Sequence, residues 1–444
     1  MVLLKENLEK KLSTSETAAK HYRRPKNTSF FEKKSPSGLK WLIALSIVCT
    51  LGAGGFLYSK MHKMKKKERK TSLALKELQY KRVLADCLGG VPIPTHLANI
   101  PFGEDSGLVL GVRSLDIRNV IAPHNPALVK SASGYDLFFR YDLMSSKARH
   151  LPYFSHIGVV SLDNHFSQGP QEFQKIELSN DYTEDPRALW VGDQLFLVYN
   201  ALDLEGLKGR TMCLANIDPS TYKANYTTTI DMNLSWVEKN WPPFAYGPPA
   251  EDPNLFFEYQ IIPRKIISLP DPQKNEILNI TLPRKVAYMS LFWEKIWGQI
   301  RGGTPAVKIG DEYLAFFHSA FTERSGFWWY VMGAYTFQAE PPFALTGIST
   351  RPILFRGIFD TPIANTAEFR KRVIFPSGFV IEKQDGKELI HLACGENDSG
   401  IKIVTLDKEV LLNNLHRLDG KAKKSSHSNL PQLPPVGQHQ NGNH

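Results

Sequence analysis

The sequence is poor in cysteine, in helical periodicity and in the acidic pairs that chelate metals. Of four cysteines in 444 residues, Cys49 lies in an apolar run and Cys87, Cys213 and Cys394 are scattered. That excludes a disulfide scaffold and a cysteine-rich zinc site, and permits at most one disulfide. No Asp-x-Asp pair occurs, so the carboxylates that usually hold a divalent metal and a nucleotide diphosphate are missing, and no alternation of strands and helices points to an α/β sheet. Excess charge is also missing from most of the chain. Residues 1–80 hold 18 Lys and Arg against 6 Glu, while the rest holds 36 basic against 38 acidic residues, so the net charge of +10 belongs to one end. A polyanion-binding domain is therefore excluded from the nearly neutral remainder.

One long uncharged run is present. WLIALSIVCTLGAGGFLYS, residues 41–59, is 19 residues long, which as a helix rises about 28 Å, close to the hydrocarbon core of a bilayer. No small-residue cleavage pattern follows it, which favours a retained signal-anchor over a cleaved peptide. A buried globular helix is the competing reading, but Lys33, Lys34 and Lys40 precede the run and KMHKMKKKERK follows it, as membrane-surface anchors do. The flanking basic residues are too evenly matched to set orientation. The sequons do more: Asn225, Asn233, Asn279 and Asn397 lie beyond the run and only Asn27 before it, which points to a luminal C-terminal part.

The expectation is a single-pass type II membrane protein of the Golgi or secretory pathway. Its segments are a cytosolic basic tail (1–40), the anchor (41–59), a helical stem (60–88), a luminal domain (89–419) and a disordered tail (420–444). Asn225, Asn233 and Asn279 are the expected glycosylation sites.

Between residues 89 and 419, short β-branched and aromatic runs alternate with Gly, Asp and Pro, the pattern of an all-β domain. HNPALVKSASGYDLFFRYD (124–142) consists of a polar-Pro start, a strand, a Gly turn and an aromatic strand. EDPRALWVGDQLFLVYN (184–200), GGTPAVKIGDEYLAFFHS (302–319) and FPSGFVIEKQDGKELIHLACGEND (375–398) repeat that plan, and WPPFAYGPPAEDPNLFFEYQII (241–262) is a poorer copy. With Pro126, Pro186, Pro253, Pro305 and Pro376 as markers, the intervals are 60, 67, 52 and 71 residues, enough for four strands and their loops. Five units predict a five-bladed β-propeller whose repeat starts converge at one mouth. Alternatively, each Asx-Pro turn merely starts a strand.

The ordered set HNPALV, EDPR, EKNWPPF, RGGTPAVK and FPSGFV with GENDSG resembles the five-bladed β-mannoside phosphorylases. With the anchor and VEKNWPPF it is more similar to the fungal β-1,2-mannosyltransferases, which build β-mannose caps on cell-wall mannan and glycolipid. The resemblance covers about residues 85–415. It implies an inverting transfer of mannose from GDP-mannose to mannan or a mannosylated glycolipid; the missing acidic pair predicts that no metal or other cofactor takes part, and the nearly neutral domain predicts no nucleic acid as partner. Such a reaction needs a base at the acceptor hydroxyl and cations at the leaving diphosphate, but no protein nucleophile.

The resemblance also implies roles. Asp185 matches the acid of the EDPR motif and is the expected base, acting through the mannose 3-hydroxyl; a structural ion pair with Arg187 is the competing reading. Arg140 and Arg301 are candidates for bidentate phosphate contacts, or are surface arginines beside aromatics. Asn125, Glu184, Arg187, Gly302 and Gly303 belong to the same mouth. Lys239 and Asn240 lie in a Trp- and Pro-rich loop suited to stacking on sugar or guanine. Asp398 matches an acid that contacts mannose, which makes the Asn397 sequon an unsuitable glycan site, and His318 matches a phosphate-side histidine. The chain departs from the phosphorylases at GGTPAV, where they have a Pro-Pro pair, and at a second Glu-Asp-Pro, residues 251–253, which keeps Asp252 as an alternative acid. A glycosidase using Asp252, Glu396 or Asp398 as a second carboxylate, a phosphorylase, and a non-catalytic sugar-binding propeller remain open.

Overall fold

The computed structural model describes residues 93–143, 154–178, 180–203, 209–230, 235–247, 254–268, 276–279, 281–282, 284–363 and 370–419. The chain divides into two units, 1–78 and 79–444, and every described residue belongs to the second. The expected anchor, stem and C-terminal tail lie outside the described residues, as do Cys87, Asn233 and Asp252. Among the described residues no helix is long and apolar enough to cross a membrane.

The strands form five antiparallel-built sheets in chain order. The first contains β2 (His124–Ser131), β3 (Gly134–Leu143), β4 (Phe154–Leu162) and β5 (Gln174–Lys175). The second contains β6 (Thr183–Val191), β7 (Gln194–Leu202), β8 (Arg210–Ile217) and β9 (Ala224–Ile230), and the third β10 (Pro243–Tyr246), β11 (Asn254–Gln260), β12 (Lys265–Ser268) and β13 (Glu276–Asn279). In the fourth, β14 (Arg301–Gly302) and β15 (Val307–Lys308) share the partner β16 (Glu312–Thr322), followed by β17 (Trp328–Gln338) and β18 (Leu345–Ile348); the short β19 (Lys371–Arg372) and β23 (His416–Arg417) extend it. The fifth contains β20 (Ile374–Gln384), β21 (Lys387–Glu396) and β22 (Gly400–Asp407), and its outer strand is β1 (Val109–Leu115), from the start of the domain.

This is a propeller. The first strands pack in a ring, β2 on β6, β6 on β10, β11 on β14, β16 on β20, and β20 back on β2. Strand β1 closes it by pairing with the last sheet, leaving no seam held by packing alone. Because the inner strands are covered on both sides, both of their faces carry apolar residues. Ala127 and Val129 enter the cluster shared with Ala188, Leu195 and Leu197 of the second sheet, while Leu128 between them enters the cluster shared with Ala393, Ile401 and Ile403 of the fifth. That is the period-2 alternation of a strand, read out on two neighbours.

Proline sets the start of the inner strands. In β2 the register passes from His124↔Arg140 to Ala127↔Phe138, and in β6 from Glu184↔Asn200 to Arg187↔Val198, so Asn125-Pro126 and Asp185-Pro186 each form a bulge. Proline has no amide hydrogen for the ladder, and a bulge absorbs that loss. The residue ahead of each is left-handed, Asn125 at φ 48° and Asp185 at φ 55°, and Asn240 at φ 62° occupies the comparable place before β10. Asn and Asp tolerate that region best, yet it still costs about 1 kcal/mol or more for a non-glycine residue, and such strain gathers at functional sites.

Two expectations are corrected here. The third sheet starts after Asn240-Trp241-Pro242, with β10, and not at Pro253; residues 251–253 lie outside the described residues, and Tyr246 and Asn254 pair at the far end of β10 from Asn240. The domain also contains a 14-residue helix, α1 (Arg284–Trp297), which the aromatic-rich RKVAYMSLFWEKIW did not announce. It covers β16: the Trp293 indole donates to Ser319 Oγ at 2.9 Å and stacks edge-on to Phe317 at 4.8 Å.

Candidate active site

All five sheets meet at the mouth where the inner strands begin. Asn125 of the first sheet donates to Asp185 Oδ1 of the second at 2.8 Å. Gly302 of the fourth lies so close to Pro242 and the Asn240 carbonyl of the third that a Cβ would overlap both. Arg187 donates through Nε to the Gly303 carbonyl at 2.5 Å and lies 5.1 Å over the Phe375 ring of the fifth sheet. Gly395, on β21, is pressed against Asn125. Of the expected residues, Asn125, Arg140, Glu184, Asp185, Arg187, Lys239, Asn240, Gly302, Gly303 and His318 are thus brought to one end of the ring, from sequence positions up to 193 residues apart.

The two neighbouring carboxylates are held differently. Asp185 Oδ1 accepts from Asn125 and, at 3.4 Å, from Arg140 Nη1. Burial alone pushes the Asp185 carboxyl up, but Arg140, Lys239 and Arg187 outweigh it and hold the group well below the usual carboxylate range. Glu184 is the hub of a cation cluster: Arg210 Nη2 lies 2.5 Å away, Lys239 Nζ 2.9 Å and Arg140 Nη2 3.2 Å. Asp142 completes the cluster by accepting from Arg140 Nε at 3.0 Å and Nη2 at 3.3 Å. Burial opposes the charge of Arg140, yet Glu184, Asp142 and Asp185 raise its pKa, so it stays protonated. In this state Arg140 is engaged by three carboxylates rather than presented to a phosphate.

Arg187 has the opposite character. It is not paired with the Asp185 carboxylate: its Nη1 donates to the Asp185 backbone carbonyl at 2.6 Å, which corrects the ion-pair alternative. The residue is 3 % exposed, and its Nη2 has no partner among the described residues. Burial pulls its pKa down to about 10. His318 is 1 % exposed, lies 4.3 Å from the Phe375 ring, and its Nδ1 likewise has no partner. Burial, reinforced by Arg187 and Arg301, pushes His318 down to about 3, so it is neutral. A buried guanidinium with a spare N–H beside a neutral imidazole is an environment that an anion would complete.

Other expected residues are more exposed or are engaged elsewhere. Arg301 pairs with His318 across β14 and β16 but is exposed. Asp398, left-handed at φ 47°, forms an ion pair with Lys371 at 2.5 Å on the rim. In the loop expected to stack on sugar or guanine, Trp241 is buried with its indole donating to Glu238 at 3.2 Å, whereas Trp236 is exposed. Asn225 lies exposed on the outer strand β9. Arg210 was missed, and so was Asn200, which accepts from Arg210 Nη1 at 2.9 Å. Among the described residues no group of three His, Cys, Asp or Glu is arranged to hold a metal, and Cys213 and Cys394 are free, buried thiols in different sheets.

No protein-family model matches the sequence, and no curated protein matches it. Solved structures do. A β-1,2-mannobiose phosphorylase of Listeria innocua, in complex with β-1,2-mannobiose, is similar at 15% identity and TM-score 0.47, covering 70% of this chain and 98% of that one. A mannose phosphorylase of Leishmania mexicana, in complex with phosphate, is similar at 14% identity and TM-score 0.44, covering 71% and 93%. A GDP-Man-dependent mannosyltransferase of Leishmania mexicana is similar at 12% identity and TM-score 0.43, covering 69% and 92%.

Proposed function

We propose that this chain is an inverting β-mannosyltransferase, of the fungal β-1,2-mannosyltransferase kind, that moves mannose from GDP-mannose to a mannan or mannosylated glycolipid. The observation that carries the reading is the mouth itself: an ionised Asp185, fixed by Asn125 in a left-handed turn, beside a buried Arg187 with an uncommitted N–H. An acceptor hydroxyl attacks the anomeric carbon from the face opposite the diphosphate. Its proton passes to Asp185, directly or through the mannose 3-hydroxyl, as the new C–O bond forms and the bond to the diphosphate breaks. Arg187, with Arg301 and Lys239 at the same end, would neutralise the departing GDP, and no bound metal is required.

A phosphorylase is the second reading, because Arg187 Nη2 and His318 Nδ1, buried without partners among the described residues, would suit inorganic phosphate equally well. The type II membrane topology, luminal placement and glycosylation at Asn225, Asn233 and Asn279 belong to the same proposal. Purified protein given GDP-mannose and α-mannan in one arm, and a β-mannoside with inorganic phosphate in the other, tests it. GDP release that depends on acceptor supports the transferase; phosphate consumption without GDP-mannose turnover replaces it with the phosphorylase.

A further inference from the structure

Glu184 contacts three cations that differ in how firmly they are held. Arg210 is fixed: beyond Glu184, its Nη1 donates to the Tyr182 carbonyl at 3.1 Å and to Asn200 Oδ1 at 2.9 Å, and its side chain is 13% exposed. Arg140 is fixed by Asp142. Lys239 has Glu184 as its ionic partner among the described residues, its side chain is 35% exposed, and it lies on the open segment leading to β10. An ammonium on a four-carbon stem can swing several ångströms by rotamer changes, whereas a guanidinium bonded at several points cannot.

We propose that Lys239 is a mobile cation shared between Glu184 and the phosphates of an anionic sugar donor, with Arg210 as the positioning residue that keeps Glu184 in place when Lys239 leaves. The inference rests on the donor reading above. In the empty site Glu184 stores the ammonium, so an ordered cation cluster exists without a ligand. When a diphosphate arrives, the Lys239–Glu184 pair breaks and a Lys239–phosphate pair forms. Arg210 and Arg140 still balance Glu184, so no buried carboxylate is left uncompensated. The same movement takes a positive charge away from Asp185, the next residue along the chain, and so strengthens the base when the donor is present.

Glu184 and the donor then compete for Lys239, and a double-mutant cycle reads that competition. GDP binding is measured by calorimetry on the full chain in detergent for the wild type, Glu184→Gln, Lys239→Met and the double variant. Glu184→Gln should tighten GDP about threefold or more when Lys239 is present and have no effect in the Lys239→Met background. Equal tightening in both backgrounds makes Glu184 a general repulsive charge and overturns the shared cation. No GDP binding by the wild type overturns the donor reading, and this inference with it. Should Glu184→Gln not fold, Lys239→Arg serves instead. A guanidinium held in two bonds by Glu184 is released less readily, so GDP should bind about threefold more weakly, and unchanged or tighter binding overturns the proposal.

Discussion

Asp185 combines a conformation and an electrostatic setting that are each unusual for a strand residue: a left-handed backbone ahead of proline, and a carboxylate bonded by Asn125 and Arg140. Asp185→Asn preserves volume and removes the base, so transfer should fall by about 10²–10⁴-fold while GDP still binds. Near-normal turnover in that variant would show that another group accepts the proton. His318 supplies a second prediction. Burial lowers its pKa from 6.5 to about 3, so the unfolded chain takes up its proton first. The stability it contributes is complete above about 6.5 and is lost as pH falls toward about 3. His318→Asn should therefore unfold with a shallower dependence of Tm on pH between those values, and an unchanged slope would place His318 outside the buried site. Asp185 was legible because proline follows it in a recognisable motif. Arg210 was not: it opens an ordinary strand outside any of the repeated motifs, and only the pairing Leu202↔Arg210 brings it to Glu184.

Element ends decide the geometry, and the glycines show how tightly. A Cβ on Gly303 would lie 2.5 Å from the Phe316 carbonyl and 3.0 Å from that of Pro376, so the fourth and fifth sheets approach each other only because no side chain is there. Gly303→Ala should lower unfolding stability by about 1–3 kcal/mol and abolish transfer, whereas Gly111→Ala, with nothing near its Cβ, should leave the melting curve in place. Equal melting temperatures for the two variants would contradict the close packing at the mouth. The turn from β21 to β22 makes another point. Asn397 Nδ2 donates to the Phe359 carbonyl at 3.1 Å and the Thr361 carbonyl at 2.7 Å, and its Oδ1 accepts from the Val373 amide at 3.0 Å. A glycan would take one of the two Nδ2 donor hydrogens and enter a buried site. Glycopeptide mass spectrometry of active protein should find Asn397 bare, and full occupancy would show that the turn is built differently. The strand pairs were readable from repeated aromatic runs and turns. The third sheet was misaligned because a second Glu-Asp-Pro imitates the marker, while the true start, Asn240-Trp241-Pro242, carries an intervening tryptophan that buries itself beside Glu238. Helix α1 was missed because its aromatic residues have strand-like composition and no Ser, Thr, Asp or Asn directly precedes it, so that only Gly298, left-handed at φ 83° after its last residue, marks an end.

At the scale of the whole molecule, a ring of sheets closed by β1 brings distant short motifs to one mouth, and on the proposed reading the charges clustered there would neutralise the donor diphosphate in place of a metal. Transfer from GDP-mannose should accordingly persist in EDTA; its loss there and recovery with manganese would assign the diphosphate to a metal instead of to arginine and lysine. The proposed roles, Asp185 as base opposite the leaving diphosphate, imply a single displacement and therefore inversion. The most direct test is the anomeric configuration of the mannosyl linkage formed from GDP-mannose by the purified chain, read by NMR. The account predicts a β-linked product, and an α-linked product would contradict it.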